Sequence, residues 1–299
     1  MKRKRVILTA VVLAVAVGAA AVTLDPAARV SGWAGGEPFH GGKSATGWRR
    51  ELRKTDEVAP AAAVKALAEG KAAAVCGWLL EKAPEPEVRR RAAESLAQMG
   101  KDAAPAAKSL VSALGDKDAL VRGVAVRAVG ELAPDAPGAV PALVKLFPDM
   151  EAIRAVARFK ADGAEALPEL LKLFNHEELT TRLQAMRTVG KIGDPAKSAI
   201  PILIKTMAED EEPRIRERAA EAIGEFGPAA AEAGAVPALA KATKDPEYKV
   251  RRDAARSLGQ IGPAAKAALA DVKALLKDDE PIVAETATRA ARLIDPSGK

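Results

Sequence analysis

The feature that most constrains this chain is a helical pattern that returns about every 33 residues. Anchored on an arginine, the copies fall at Arg89, Arg122, Arg182, Arg216 and Arg251. An apolar or β-branched residue precedes each: Val88, Val121, Thr181, Ile215 and Val250. Three residues after the anchor stand Ala92, Ala125, Ala185, Ala219 and Ala254; seven after, Leu96, Val129, Val189, Ile223 and Leu258; ten after, Met99, Leu132, Ile192, Phe226 and Ile261. Offsets of three, seven and ten share one helical face. Eleven after the anchor, Gly100, Gly193, Gly227 and Gly262 fill a position where a left-handed backbone ends a helix without steric cost, with Ala133 as the exception.

A second helix follows each first one. Pro141, Pro168, Pro201 and Pro237 suit a first helical turn, and Leu143, Leu170, Leu203 and Leu239 follow two residues later. Adjacent anchors lie 33, 34 or 35 residues apart, except that 60 residues separate Arg122 from Arg182. A copy without its arginine lies between, at 150–174, shortened by about six residues relative to a full period. A divergent pair precedes the array at 58–82, with Val64, Leu67, Val75, Leu79 and Leu80 inward, and residues 281–294 read as a closing helix. These observations predict an all-α fold, a right-handed α-solenoid of stacked antiparallel helix pairs over residues 48–294, with a polar tail at 295–299.

The order Val-Arg, Ala, Leu-Gly-x-Ile-Gly in these copies resembles the HEAT-repeat family, in the short bacterial form also called PBS-lyase HEAT-like. The resemblance covers residues 84–294. It implies a recognition scaffold rather than an enzyme. It also implies that Asp116, Asp210 and Asp245, each six residues before Arg122, Arg216 and Arg251, form with them a structural ladder tying adjacent loops to helix starts. Asp278 holds the same relation to Ala284. Some proteins of this kind are lyase subunits or chaperones that attach tetrapyrroles, so an accessory subunit of an enzyme system is the alternative expectation.

The amino terminus reads as a targeting segment. Lys2, Arg3, Lys4 and Arg5 precede an apolar run over residues 6–24, with Ala19, Ala20 and Ala21 as a small-residue cleavage site. That is a secretory signal peptide, or an uncleaved signal anchor, since about 20 apolar residues span a bilayer. Either places the remaining chain outside the cytoplasm, periplasmic or secreted. The formal charge of +6 falls to +2 without those four basic residues, so a nucleic-acid partner is not expected. Residues 25–47, with six glycines, read as a linker. Trp48 and Leu52, at i and i+4, suggest a helix that caps the core.

Chemistry-bearing residues are few. The two histidines, His40 and His176, are separated from the single cysteine, Cys76, which sits in an alanine-rich helix as a small hydrophobe. No metal site or cofactor is expected. The acidic run from Glu209 to Glu212 suits a turn before a helix, where negative charge favours the helix N-terminus. Lys145, Lys172, Lys205 and Lys241 share one repeat position, two residues after the repeat leucine. Two residues turn a helix by about 200°, away from the core. The family resemblance implies that second helices line a concave face, which makes these lysines a candidate binding row for an anionic ligand. The expected partner is otherwise a protein or peptide held on the concave face.

Overall fold

The computed structural model describes residues 28–56 and 58–298. The targeting segment expected at residues 1–24 lies outside them. No helix among the described residues is long and apolar enough to cross a membrane. The chain divides into two compact units, Met1–Ala139 and Val140–Lys299.

In the first unit, helix α1 (Arg29–Ala34) leads into a two-residue hairpin of β1 (Phe39–His40) and β2 (Lys43–Ser44), paired antiparallel with Phe39 opposite Ser44. Helix α2 (Ala45–Leu52) follows, then α3 (Val58–Glu69), α4 (Ala73–Lys82), α5 (Pro86–Met99), α6 (Ala107–Ala113) and α7 (Ala119–Leu132). Much of the stretch read as a linker is thus folded. Its glycines serve tight turns: Gly36, Gly41 and Gly42 all take positive φ. Polar contacts between residues apart in sequence hold it. Glu37 accepts from the Thr46 backbone N–H at 2.7 Å and from its hydroxyl at 2.5 Å, and Trp48 Nε1 donates to the His40 carbonyl at 2.9 Å. Trp48 is nearly buried and Leu52 fully so. Arg49 donates to both oxygens of Glu85, at 2.8 and 2.6 Å, fixing α2 to the start of α5.

The second unit continues from α8 (Ala139–Val144), whose first residue closes the first unit, through α9 (Met150–Arg158), α10 (Leu167–Lys172), α11 (Leu179–Ile192), α12 (Ile200–Glu209), α13 (Pro213–Gly224), α14 (Pro228–Glu232), α15 (Ala235–Ala242), α16 (Tyr248–Ile261), α17 (Leu269–Ala274) and α18 (Pro281–Ile294). First helices stack on first helices: α9 on α11, α11 on α13, α13 on α16, and α16 on α18. In both units the architecture is that of an all-α solenoid.

The repeated apolar positions form the core. The alanines at the third offset are fully buried, as are the four second-helix leucines. Each buried leucine contributes roughly 1.5–3 kcal/mol relative to exposure. Gly100, Gly193, Gly227 and Gly262 adopt φ between 53° and 73° with ψ between −124° and −142°. That region is open in practice to glycine alone, and it is not the left-handed helical geometry the sequence suggests. Ala133, which cannot enter it, has φ −50°. Several connections are longer than a tight turn. Seven residues of 3-10 helix, Gly100–Ala106 and Gly262–Ala268, join first to second helices, so α6 has seven residues and α17 six.

The first helices approach closely because a glycine sits eight residues after the anchor. A Cβ on Gly190 would lie 3.2 Å from Ala222 Cα, and one on Gly259 would lie 2.9 Å from Ala290 Cα. Hydroxyls fasten the same interface: Thr188 donates to the Ile153 carbonyl at 3.2 Å and Ser257 to the Ala220 carbonyl at 2.8 Å. By this register Asp149 occupies the anchor place of the degenerate copy. It also caps α9, accepting from the Ala152 N–H at 2.8 Å. Helix α9 therefore begins at the anchor and has nine residues, where α11 and α16 have fourteen.

Candidate functional site

Three sets of charged residues recur with the repeat: an arginine–aspartate ladder, the lysine row, and a group of arginines on the first helices.

Every intact rung of the ladder has one geometry. Arg251 donates from Nε and Nη2 to the two oxygens of Asp278, at 2.7 and 2.8 Å, and from Nη1 to the carbonyls of Asp245 and Pro246. Arg216 repeats this with Asp245 and with the carbonyls of Asp210 and Glu211, and Arg89 with Asp116 and with the carbonyls of Ala83 and Pro84. Each arginine thus holds the loop before its own helix by the backbone and the next loop by its carboxylate. Asp116 and Asp245, six residues before Arg122 and Arg251, meet those anchors only through their main-chain oxygens; their carboxylates belong to the preceding arginines, Arg89 and Arg216. The carboxylate also orders its own loop, as Asp245 accepts from the Glu247 N–H at 2.9 Å and Asp278 from the Glu280 N–H at 3.0 Å. The Arg251 hydrogen bonds hold the Asp278 carboxyl below its ordinary range, and burial works against them.

Two anchors depart from this. Arg122 keeps its carbonyl bonds to Asp116 and Lys117. Arg182 does not close on Asp210: its Nε is buried without a hydrogen-bond partner, and the Asp210 carboxylate accepts only from the Glu212 N–H, at 3.0 Å. The acidic run around Asp210 otherwise serves its turn, with Glu212 capping α13 through the Arg214 N–H.

Lys145, Lys172, Lys205 and Lys241 are all exposed. Two of them are already paired on their own helices, Lys172 with Glu169 at 2.6 Å and Lys205 with Glu209 at 3.9 Å. Cys76 is completely buried, and burial pushes its thiol up to about 12, so it is no nucleophile at neutral pH. Among the described residues no group of three or more His, Cys, Asp or Glu is placed to hold a metal ion.

The sequence reading missed the third set. Five residues after the anchor place stand Arg154, Arg187, Arg256 and Arg289, with Glu221 in the one intervening helix, where Arg218 stands three residues earlier. Positions two, five and nine after the anchor share the helix face opposite the buried one. On α13 and α16 this face carries a network. Arg252 donates to Asp253 at 2.9 Å and to Glu217 at 3.0 Å, Arg256 lies 3.2 Å from Asp253 and 3.6 Å from Glu221, and Arg218 pairs with Glu221. Arg218 Nε is nevertheless buried and unpartnered, and burial, then the nearby Arg187, push its guanidinium down. The signal was present in the sequence as an offset of five, but it falls on the polar face, where no burial pattern draws attention to it.

Comparisons with known proteins agree with this architecture. A family model described as HEAT repeats matches residues 73–157, 149–224 and 200–292. No curated protein matches the sequence. Among solved structures, an engineered protein is similar at 24% identity and a TM-score of 0.53, over 85% of this chain and 78% of that one. The complex of CpcE and CpcF of phycocyanin lyase from Nostoc sp. PCC7120 is similar at 24% identity and a TM-score of 0.43, over 51% of this chain and 97% of that one. The family matches run unbroken from residue 73 to residue 292 and fall on the helix pairs whose rungs and close-packed glycines are described above, and the chain belongs to the HEAT-repeat family.

Proposed function

We propose that this protein is a non-catalytic scaffold, held outside the cytoplasm, that binds a protein or peptide partner along its stacked helices. The observation that carries the reading is the recurrence of exposed charged side chains at fixed repeat positions above a core in which Arg89, Arg216 and Arg251 are closed on aspartates. An array of this kind offers one extended surface built from small, equivalent contributions, which suits an elongated partner. The single cysteine is sealed in the core, and neither histidine lies in a cluster with it. The extracytoplasmic address rests on the basic start and apolar run of residues 1–24.

Fractionation of cells expressing the full chain tests the address. The protein is expected outside the cytoplasm, and changing Lys2, Arg3, Lys4 and Arg5 to Glu is expected to retain it inside. Unchanged distribution of the variant would overturn the export reading. Crosslinking in the extracytoplasmic fraction tests the scaffold. A discrete adduct with another polypeptide is expected, and recovery of the uncrosslinked chain alone would count against it.

A second reading, an anionic polymer bound along Lys145, Lys172, Lys205 and Lys241, is favoured by the exposure of all four. The pairing of Lys172 and Lys205 with glutamates weakens it, because those charges are partly neutralised before any ligand arrives.

A further inference from the structure

We propose that the first-helix face of the second unit, from Arg187 to Arg289, seats an acidic peptide segment that also carries an apolar side chain. The inference deepens the scaffold reading and rests on it.

Four observations lead there. First, Arg187 and Arg289 are exposed and have no hydrogen-bond or ion-pair partner among the described residues. Glu285, four residues before Arg289, is exposed and does not close on it. Second, the carboxylates between them are committed. Asp253 and Glu221 are held by Arg252, Arg256 and Arg218. Arg187 and Arg289, set against Glu285 alone, leave the uncommitted charge of this face net positive. Third, Arg218 Nε is buried without an acceptor while its neighbour Arg187 adds like charge. An incoming carboxylate would relieve that repulsion. Guanidinium groups bind carboxylates through two parallel hydrogen bonds, a geometry that lysine cannot offer.

Fourth, the face is not uniformly polar. Between α16 and α18 lies a groove walled by Arg252, Arg256 and Arg289 and floored by Ala290, with Ile282 and Leu293 at its edges. Ile282 is 41% exposed and Leu293 55%, among the most exposed large apolar residues of the second unit. A polyanion such as a nucleic acid backbone gains nothing from that apolar edge. A peptide with a Leu or Phe beside its carboxylates gains from both.

The dimensions fit. Three helix-to-helix steps separate α11 from α18, and packed helices lie about 8–10 Å apart, so the arginines span roughly 27 Å. An extended peptide covers that in about eight residues at ~3.3 Å each.

The test uses the full chain as bait for a displayed library of random peptides of roughly twelve residues, long enough to span the face. The selected peptides are then synthesised and titrated against three proteins: wild type, Arg187→Gln with Arg289→Gln, and Lys145, Lys172, Lys205 and Lys241 each changed to Gln. Both variants alter exposed residues and are expected to keep the helical circular dichroism of wild type. Selected sequences are expected to combine Asp or Glu with an apolar residue. Their affinity should fall about tenfold or more in the arginine variant, the loss of two charge-assisted contacts, and stay near wild type in the lysine variant. Peptides without acidic residues, or acidic peptides that bind the arginine variant as well as wild type, would overturn this inference and leave the scaffold reading standing. An oligothymidylate that displaces the peptides at equal charge would make the face a general polyanion surface, which also overturns it. Enrichment of no peptide at all would overturn both readings.

Discussion

A single ladder arginine serves three partners at once. Arg251 holds a carboxylate one loop ahead and two carbonyls one loop behind, and its side chain is only 18% exposed, with that of Asp278 at 6%. Removing it leaves Asp278 buried beside fewer donors, which costs more than the pair contributes. Arg251→Ala is expected to destabilise the second unit by about 2–3 kcal/mol, read as a lowered urea midpoint at constant slope. A lysine at this place should recover little, because it lacks the fork that meets both oxygens. A fully restored midpoint in Arg251→Lys would refute the bidentate role. Glu85 gives the matching acid test in the first unit. The Arg49 hydrogen bonds pull its carboxyl from 4.5 down to about 2. A depressed carboxylate stabilises the fold above its unfolded value and loses that contribution as pH falls through the folded one. The attachment of α2 should therefore weaken between pH 4.5 and about 2, followed by the near-ultraviolet signal of Trp48. In Arg49→Ala the attachment should already be weaker at neutral pH and change little further across that window, because the carboxyl loses the main cause of its shift. Coincident profiles for the two proteins would show that Arg49 is not the cause.

Elements differ in how legible they are from the chain. The first helices announce themselves, since the offsets of three, seven and ten follow from burying one face, and each such residue is buried. The connections do not. A proline before the repeat leucine marks a helix start, yet nothing in the glycine and alanine that precede it distinguishes a sharp turn from the 3-10 helix found at Gly100–Ala106. The hairpin at Phe39–His40 and Lys43–Ser44 was hidden for a different reason. Its glycines look like a linker, while the bonds that fold it join Glu37 to Thr46 and His40 to Trp48 across the turn. The binding-face arginines were equally hard to see, because a polar position needs no regularity to be tolerated. Helix α9 shows what an altered anchor does. With Asp149 capping it at the anchor place, the helix loses its first turn and has no arginine to close a rung. Amide hydrogen exchange is therefore expected to be faster over 150–174 than over 179–243. Equal protection across both stretches would refute this account.

At the scale of the molecule, stability in a repeat array is close to a sum of terms within units and between nearest neighbours. The ladder makes that statement concrete. Each rung is closed by residues from two adjacent repeats and by nothing more distant. Arg216 and Arg251 stand in the same relation to the loop behind and the loop ahead, so one could replace the other. If residues 216–250 were excised, Ile215 would adjoin Arg251. Its Nη1 would meet the carbonyls that Arg216 now holds, those of Asp210 and Glu211, and its Nε and Nη2 would keep Asp278. Ser257, six residues beyond the anchor, would come opposite Gly190, as it now comes opposite Gly224. The rungs and close-packed joints that remained would need no partner of a new kind, although Lys191 would lose Glu225 and Arg252 would lose Glu217. Copy number is thus a quantity this chain can change by duplication or loss of one period while its rungs and close-packed joints keep contacts of the same kind, and on the scaffold reading the length of partner it holds changes with it.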